Sequence, residues 1–430
     1  MKESGIDWIG QIPEEWKVRP IKHIVETPVT DGPHETPVLY ETGIPFLSAE
    51  AVKDGVLDFN FKRGYISLKD HDRFKKKISP KKDDIFIVKS GATTGNVGIV
   101  NTDEIFDIWS PLALIRCNKT LAIQKYIYFY LLSTLFKSQV EFNWSFGTQQ
   151  NIGMGVIERI KVILPPVSEQ QKIVEVLDKK TAQLDKVKAL LEEQIQKLKD
   201  YRASLIYETV TKGLDKTVPM KDSGIDWIGQ VPEGWGVKAI KYIFDEIGSG
   251  STPKSDNEIF YDGDINWIQS GDLYQTDTVT SVSKTISYQG FKSTSALKIY
   301  QPPFVALAMY GASVGNVAVS YIDACVNQAV VVMLGASEKV KFGKYAIEAS
   351  KSNLIFSAQG GTQPNISQNL IKNWSIPQPK NEEQVQIVDF LDKKTVQIDK
   401  LIQIKNQQID NINKQRQTLI YEYVTGKRRV

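Results

Sequence analysis

Cysteine and histidine are scarce in this chain of 430 residues. The two cysteines, Cys117 and Cys325, lie far apart, and the three histidines, His23, His34 and His71, all lie in the first half. Two isolated cysteines do not suggest the framework of a disulfide-rich domain. These side chains also lack the spacing typical of a zinc site. We therefore expect neither disulfides nor a metal centre, and a reducing compartment is compatible with the sequence.

Long apolar runs and a strong net charge are lacking as well. No apolar run reaches the ~18 residues that a membrane span needs, and the first residues show no apolar core of a signal peptide. The net charge of +3 excludes a histone-like cation, so any contact with nucleic acid must come from local patches or from a partner. These features predict a cytoplasmic protein that is long enough for two or more domains.

An internal repeat is the most informative feature that the sequence does have. Residues 1–12 read MKESGIDWIGQI, and residues 220–231 read MKDSGIDWIGQV. Near the end of each half, LDKKT at 177–181 recurs at 391–395, whereas the stretches between these matched words differ widely. The period is too long for a solenoid repeat of ~20–50 residues. It indicates duplication of a whole module, with one scaffold presenting two different recognition surfaces.

The first part of each half has the pattern of a globular domain. It is rich in β-branched and aromatic residues, with glycine and proline between the apolar runs. Residues 84–88 and 304–308 are short apolar runs that predict buried strands, and residues 121–139 predict a helix packed on a sheet. We therefore expect a compact domain of α+β or α/β type in each half.

The second part of each half predicts a long helix after a proline stop. Ser168 with Gln171, and Asn381 with Gln384, have the spacing of capping boxes. Apolar residues then recur every seven positions, which argues for a coiled coil. The seam residues are Leu177, Leu184, Leu191, Leu198 and Leu205 in the first helix, with Val187, Ile195 and Tyr201 as companions, and Leu391, Ile398, Ile412 and Leu419 in the second, where Lys405 interrupts the pattern.

The natural partner of each long helix is the other one, because a single helix of this length would leave its apolar seam in water. Halves related by a two-fold would pair the helices antiparallel and put one globular domain at each end. VTKG at 210–213 leads into the second half and VTGK at 424–427 ends the chain, so the chain end should lie near the start of the first half. The alternative is that each stripe packs on its own domain, although globular helices usually have only ~8–20 residues.

The expected fold class is therefore α+β: two globular α/β-type domains joined by two long helices in an antiparallel coiled coil, with a pseudo-two-fold internal repeat. The predicted parts are a globular domain at 1–166, a long helix at 167–214, a globular domain at 215–379 and a long helix at 380–430.

Two catalytic motifs occur, each in only one half. Residues 311–315 match the G-x-S-x-G nucleophile elbow, yet no histidine follows to act as base, and the first half has Thr93 at the equivalent position. Residues 301–304 (QPPF) resemble the Asn/Asp-Pro-Pro-aromatic motif of amino-methyltransferases without its usual first residue. No glycine-rich loop of the kind expected for S-adenosylmethionine is found either. These mismatches predict a chain with no catalytic residues of its own.

Binding residues are the remaining candidates. Lys75, Lys76, Lys77, Lys81, Lys82 and Lys89 are interleaved with aromatic residues. Such lysines can lie along phosphates, although a solvated surface loop explains the run equally well. The glycine turns at 91–95 and 311–315 can approach a ligand closely and supply Thr93, Thr94, Asn96, Ser313 and Asn316 as candidates.

A recurring amide motif completes the candidate site. GTQQNI at 147–152 and GTQPNI at 361–366 recur in both halves and supply Gln149, Asn151, Gln363 and Asn365. Glutamine and asparagine can each pair with adenine through two hydrogen bonds in a major groove. The alternative is a loop whose amides cap its own backbone, which would explain why the residues are shared by both halves.

The whole chain resembles the DNA specificity subunit of type I restriction-modification systems. The resemblance rests on the order of several short words, twice over, together with the Gly-Ala-x-x-Gly-Asn loops and the glutamine-rich helix starts. The words are GIDWIG at 5–10, PEEW at 13–16, TDGPHETP at 30–37, GIPFL at 43–47, PEGW at 232–235, GSGSTP at 248–253, GDINWI at 263–268 and GDL at 271–273.

This resemblance implies a function that composition alone does not. Each globular domain would be a target-recognition domain for one half of a split DNA site, and the two long helices would dock two modification subunits. Those subunits would bring S-adenosylmethionine and methylate adenine at N6, and restriction subunits would add translocation and cleavage with ATP and Mg. This chain would bind none of these cofactors and would be non-catalytic.

The physical dimensions agree with such a role. Half-sites on one face of B-DNA lie ~34 Å apart, and a helix of ~40 residues is ~60 Å long. Because the stretches between the repeated words differ between the two halves, the DNA target should be asymmetric. The rival hypotheses are a coiled-coil scaffold whose globular ends bind other proteins, and an autonomous enzyme; an orphan variant without a restriction partner is a further possibility.

Overall fold

The computed structural model divides the chain into two compact units. The first comprises Met1–Leu191 and Asn406–Val430, and the second comprises Glu192–Lys405. The structure describes residues 1–6, 9–143, 150–358 and 365–430. Each unit therefore contains one globular part and a segment of each long helix.

The first unit contains a large sheet, a smaller sheet and two strand pairs. Its strands are β1 (Lys2–Glu3), β2 (Gln11–Ile12), β3 (Lys17–Pro20), β4 (Thr30–Asp31), β5 (Ile44–Leu47), β6 (Val52–Lys53), β7 (Val56–Leu57), β8 (Gly64–Ile66), β9 (Ile85–Val88), β10 (Val97–Ile99), β11 (Asp107–Ile108), β12 (Leu112–Ile115) and β13 (Lys161–Leu164). Its helices are α1 (Leu68–Phe74), α2 (Gln124–Leu132), α3 (Thr134–Phe142), α4 (Met154–Arg159) and the first part of α5 (Val167–Lys212), with 3-10 turns at Ile21–His23, Ala49–Ala51 and Phe59–Phe61. The large sheet has the order β4-β12-β9-β10-β7-β6, the smaller one β11-β5-β8, and β13 pairs with β3 and β1 with β2.

The central strand β9 is buried on both faces, which explains its continuous apolar run. Ile85 and Ile87 belong to the core that includes α2 and α3. Phe86 and Val88 belong to a second core beneath the opposite face. Alternate residues of a strand point to opposite faces, so one short apolar segment contributes to both cores. The buried strand predicted at 84–88 is confirmed.

The single helix predicted at 121–139 is wrong, because the segment forms two helices. Helix α2 ends at Leu132 and α3 begins at Thr134. Ser133 between them has an extended backbone with ψ 159°, and its hydroxyl donates to the Tyr130 carbonyl over 2.5 Å. Serine favours such local bonds over a position inside a helix, and the chain turns there.

The second unit repeats this arrangement with different residues. Its strands are β14 (Met220–Asp222), β15 (Gln230–Pro232), β16 (Gly236–Ala239), β17 (Glu246–Ser249), β18 (Tyr261–Ile268), β19 (Thr278–Val279), β20 (Thr285–Ile286), β21 (Phe304–Ala308), β22 (Val317–Ser320), β23 (Cys325–Val326), β24 (Val330–Leu334) and β25 (Ser375–Gln378). Its helices are α6 (Tyr288–Lys292), α7 (Ser337–Ala349), α8 (Lys351–Ser357), α9 (Gln368–Asn373) and α10 (Asn381–Val424), which continues into the first unit, with 3-10 turns at Ile240–Tyr242, Glu258–Phe260 and Ser270–Leu273.

The strand order shows that the two globular parts share one topology. The large sheet β17-β24-β21-β22-β19 matches β4-β12-β9-β10-β7, and the small sheet β20-β18-β23 matches β8-β5-β11. The strand predicted at 304–308 is β21, the buried centre of its sheet. The α+β class and the internal repeat predicted from the sequence are confirmed.

The long helices α5 and α10, of 46 and 44 residues, run antiparallel to each other within each unit. In the first unit Arg429 lies 3.0 Å from Glu169, and Arg416 lies 3.5 Å from Asp185. In the second unit Lys405 donates to Gln194 over 2.6 Å. Residue numbers fall along α10 as they rise along α5, so the antiparallel pairing is confirmed.

The seam of the helix pair is narrow. Leu177, Ile195, Leu391, Ile398 and Leu419 are buried, and Leu184, Leu191, Leu198, Leu205 and Ile412 are half-buried. The companion role predicted for Val187 and Tyr201 is wrong, since they are 46% and 55% exposed. A two-helix seam covers only two positions of each heptad, and Thr181 and Arg202 occupy such positions. The half-buried Lys405 stays in the seam because its ammonium reaches Gln194.

Arg202 connects the seam to the globular part of the second unit. Its guanidinium lies 2.5 Å from Asp277 and 3.3 Å from Asp399, and it also pairs with Glu348. Lys344 lies 2.8 Å from both Asp277 and Glu348. Burial alone would lower the pKa of Arg202, but the surrounding carboxylates outweigh it and the pKa is raised. Arg202 therefore keeps its charge, whereas burial raises the pKa of its neighbour Asp399.

The predicted capping boxes are wrong, although both helices start where the prolines predict. Helix α5 begins at Val167, so Ser168 already lies inside it. The Gln170 side chain donates to the Pro165 carbonyl over 2.9 Å. In α10 Gln384 makes the same bond to Pro379 over 3.0 Å. A buried glutamine that reaches back to the proline thus takes the place of the capping box.

The chain end returns to the start of the first half, as predicted. Arg429 lies 2.6 Å from Glu15, and Gly426 packs against Pro13 and Trp16. The indole of Trp16 donates to Glu169 over 2.9 Å. In the second unit Trp235 makes the matching bond to Glu383 over 2.8 Å. The repeated words of the sequence thus form equivalent contacts in both units.

The described ranges include both long helices and both cysteines. None of the helices there combines the length and the apolar character needed to cross a membrane. The same residues include no group of three or more His, Cys, Asp or Glu placed to hold a metal ion. Cys117 and Cys325 are free and buried, and burial raises the pKa of each thiol to about 12.

Aspartate placed in the seam tests the packing of the helices. Leu184→Asp or Leu198→Asp should lower the free energy of unfolding of the full chain by about 1–3 kcal/mol, because a half-buried carboxylate there lacks a partner. Chemical denaturation measures the effect. Val187→Asp, three residues away on an exposed position, is the control and should change stability by less than about 0.5 kcal/mol. Equal stability of all three variants would contradict the packing of Leu184 and Leu198 between the two helices.

Candidate functional site

The glycine loops form tight turns after the central strands. In the first unit the Asn96 amide donates to the Thr93 carbonyl over 3.0 Å, and Gly91 has a φ of 103° that favours glycine. In the second unit Asn316 donates to Ser313 over 2.9 Å. The turn predicted from the repeated glycines is confirmed, and it presents equivalent positions in both units.

The last residues of the amide motif, Gln150 to Ile152, lie against the glycine loop. The Gly91 amide donates to the Gln150 carbonyl over 3.3 Å, and Ile152 donates to the Lys89 carbonyl over 2.8 Å. The Thr94 hydroxyl also donates to Gln150, over 3.1 Å. The structure therefore brings Thr93, Thr94 and Asn96 together with the exposed Asn151. Gln149 and Gln363 lie outside the described residues.

A cluster of charged side chains lies beside this loop in the first unit. Asp31, at the end of β4, accepts from Lys77 over 2.6 Å and from Lys89, and lies 3.1 Å from His34. Lys77 also donates to the Gly32 carbonyl over 2.7 Å. Burial would raise the pKa of Asp31, but the two lysine hydrogen bonds outweigh it and lower the pKa. Asp31 therefore carries a full charge between two ammonium groups.

The remaining candidate lysines lie on the exposed surface. Lys75 pairs with Asp72, and Lys82 lies 3.0 Å from Asp103. Exposed pairs of this kind contribute little to stability because solvent screens them, so these lysines can exchange partners readily. Lys76 and Lys81 are also exposed. Lys77 is exposed as well, so Lys77 and Lys89 differ from the other four lysines in sharing Asp31 as a partner and not in exposure alone. Phosphate binding stays a prediction for all six.

The second unit has different chemistry at the equivalent positions. Asp31 lies opposite Ala113, which faces Ile87. Ser249 lies opposite Val331, which faces Leu307 at the equivalent place in the other sheet. The repeat likewise puts Met309 where the first unit has Lys89. One frame therefore presents an ion cluster in one unit and uncharged side chains in the other.

The candidates in the second unit differ in exposure. Ser313 is buried at 6% exposure, so its hydroxyl has little free surface. Asn316 is half-buried and accepts from Lys351 over 2.5 Å. Asn365 is exposed. Their roles in binding stay predictions.

Asp31 and His34 are residues that the sequence argument missed as site residues. Both lie in the word TDGPHETP that carried the resemblance. Asp31 lies 46 and 58 positions from the lysines that it binds. A contact over that distance depends on strand order, which local patterns do not contain.

The long helices carry a second repeated surface feature. In the first unit Val187 and Leu190 are 46% and 47% exposed. Leu401 and Ile404, at the equivalent positions of the repeat in the second unit, are 47% and 41% exposed. Each unit thus presents the same pair of apolar side chains outside the seam, which we call the outer apolar pair.

A family model described as the type I restriction modification DNA specificity domain matches residues 13–199 and 232–414. A putative type I restriction enzyme specificity subunit, MjaX, of Methanocaldococcus jannaschii is 26% identical over 98% of this chain and 96% of that protein. The MjaVIII specificity subunit of the same organism is 24% identical over 98% and 94%. A chain from a solved structure of complex assembly and conformational transition in the type I R-M system superposes with a TM-score of 0.70 at 16% identity, covering 97% of this chain and all of that one.

The fold and the loop surfaces define a two-part binding protein, in which one frame is used twice with unlike side chains. The chain belongs to the family of DNA specificity subunits of type I restriction-modification systems. The resemblance seen in the sequence is confirmed, and the role of the chain is DNA sequence specificity. The specificity-subunit family is non-catalytic.

Two glycines beside the loops test the shared frame. A Cβ at Gly32 would overlap the Ile108 carbonyl oxygen, and one at Gly250 would overlap that of Val326. Gly32→Ala and Gly250→Ala should each lower the free energy of unfolding by about 1–3 kcal/mol, because backbone must move. Gly153→Ala, with nothing within 4 Å of its Cβ, is the control for the denaturation measurement. Full stability of the Gly32 and Gly250 variants would refute the close approach.

Proposed function

We propose that the chain reads a split, asymmetric DNA target within a type I restriction-modification complex, one half-site with each unit. The observation that carries the proposal is the contrast at equivalent loop positions. Asp31 and Lys89 in the first unit correspond to Ser249 and Met309 in the second, on strands of the same order. Identical modules would read a palindrome, whereas these modules differ where a ligand can approach.

The helix pair is proposed to carry the modification subunits. Exposed apolar side chains that lie together mark protein interfaces, and the outer apolar pair occurs once in each unit. Two equivalent pairs fit two copies of one partner. That partner would be the adenine-N6 methyltransferase subunit with its S-adenosylmethionine, and restriction subunits would add ATP- and Mg-dependent translocation and cleavage. The assembled complex would act on cytoplasmic DNA.

The proposed reading function is tested by methylation. The chain should be expressed with its modification subunit in a host that lacks other such systems, and methylated adenines mapped across the genome. We expect one bipartite sequence with two unlike halves separated by a fixed spacer. Methylation without sequence preference, or none at all, would contradict the proposal. Salt-independent binding of proteins rather than DNA by the complex would favour a scaffold instead.

If the outer apolar pair is the docking surface, its substitution should weaken binding of the modification subunit without changing the stability of the chain. Val187→Asp with Leu190→Asp should leave the unfolding transition of the chain unchanged, because both side chains are exposed. It should weaken binding of the modification subunit at least about tenfold through lost apolar contact. Leu401→Asp with Ile404→Asp should do the same. Sedimentation of the mixture measures the stoichiometry, which should fall from two partners to one in each double variant; unchanged stoichiometry would exclude this surface.

A further inference from the structure

The cluster at Asp31 joins three segments at one edge of the large sheet. Strands β4 and β9 both pair antiparallel with β12, so they run parallel and their carboxyl ends meet at the same edge. Asp31 ends β4, and Lys89 follows β9 directly. Lys77 comes from the segment after α1. The cluster thus lies where the glycine loop also begins.

The geometry of the cluster orders two lysines that would otherwise repel each other. Asp31 Oδ1 accepts from Lys77, and Asp31 Oδ2 accepts from Lys89. The carboxylate side chain is 9% exposed, the Lys89 side chain 12% and the Lys77 side chain 42%. One negative charge between two positive ones leaves the cluster with an excess of one positive charge. A buried carboxylate thus presents a cationic edge whose position is fixed.

Further contacts position α1 beside the cluster. Arg73 lies 2.8 Å from Glu35 in the loop after β4, although this pair is exposed and adds little rigidity. His71 lies 2.6 Å from the buried Asp107 of β11, which attaches α1 to the smaller sheet. Lys77 therefore leaves a fixed helix end, and its ammonium has little freedom once Asp31 binds it.

We infer that Asp31 is a positioning residue for DNA reading by the first unit: it holds Lys77 and Lys89 so that their ammonium groups meet a backbone phosphate in one register. This inference rests on the proposed function. Phosphate contacts fix the register of a protein on the duplex, and base contacts then read the sequence. Displaced lysines would still attract DNA, but the neighbouring glycine loop and Asn151 would no longer be aligned with the bases.

The sign of the expected effect separates this role from a structural one. Asp31→Asn removes a negative charge and frees two lysines, so binding to unrelated DNA should be unchanged or tighter. Its dependence on salt should become steeper, with a change in the slope of log K against log salt of about 0.9 for one additional phosphate contact. Discrimination at the first half-site should nevertheless fall about tenfold, as for loss of one well-placed contact. A variant that had merely lost its fold would bind all DNA less well.

The experiment uses the complete complex with its modification subunits and three duplexes. One has both half-sites, one has the first half-site scrambled, and one has the second scrambled. Affinity and adenine methylation are measured over a range of salt concentrations for wild type and Asp31→Asn. Discrimination at the second half-site is the internal control for folding and assembly, because Ser249 and Met309 replace the cluster in that unit.

Two further variants are charge controls: the first matches the change in charge of Asp31→Asn, and the second has the opposite sign. Asp72→Asn alters charge by the same amount on α1, but its pair with Lys75 is exposed. This variant should make DNA affinity more dependent on salt, and it should still distinguish the correct first half-site from the scrambled one. Lys89→Met, which places the second unit's residue in the first, should weaken binding to every sequence and reduce the slope by about 0.9.

The outcomes distinguish this inference from the proposed function. Loss of first-half discrimination in Asp31→Asn, with the second half and Asp72→Asn unaffected, supports the role of Asp31. Intact discrimination at both halves in Asp31→Asn would overturn it and leave the proposed function standing. A wild-type complex without preference at either half would overturn both.

Discussion

The structure depends on the antiparallel pairing of α5 with α10. Both helices run through both compact units, so each unit is completed by a helix segment from the far half of the sequence. In the first unit Trp16 binds Glu169 on α5, while Gly426, just beyond α10, packs on Pro13 and Trp16. The packing of Gly426 on Pro13 and Trp16 comes from the far half of the sequence, so each half contributes contacts to the unit of the other.

Local periodicity accounts for what the sequence could predict. The heptad leucines, the buried strands and the duplicated frame all follow from patterns within short windows, and all are found. The polar members of the seam did not stand out, because threonine and arginine do not belong to an apolar pattern. Arg202 is tolerated there only because Asp277, Glu348 and Asp399 surround it, and these come from distant segments.

The candidate site could be predicted only in part for the same reason. The glycine turns can be predicted from the sequence, since the backbone conformation at Gly91 favours glycine. Which of the lysines bind Asp31 follows from strand order instead. Ser133 shows the opposite case, in which a single residue ends a helix that the apolar pattern would continue. A serine that bonds to the backbone is only a weak signal in the sequence. In the structure, the same hydrogen bond accompanies the end of the helix.

The Arg202 network has a consequence for how such proteins can evolve. Arg202 belongs to α5, but Asp277 and Glu348 belong to the globular part that follows it. A recombination event that replaced this globular part alone would remove Asp277 and Glu348 and leave the half-buried guanidinium with only Asp399 of α10, which is unfavourable. Exchange is tolerated when the incoming segment brings acidic residues at both places or when the crossover lies upstream of Arg202. The segment that can be exchanged as one piece is thus the segment that contains both members of each buried ion pair. It includes part of α5 as well as the globular part.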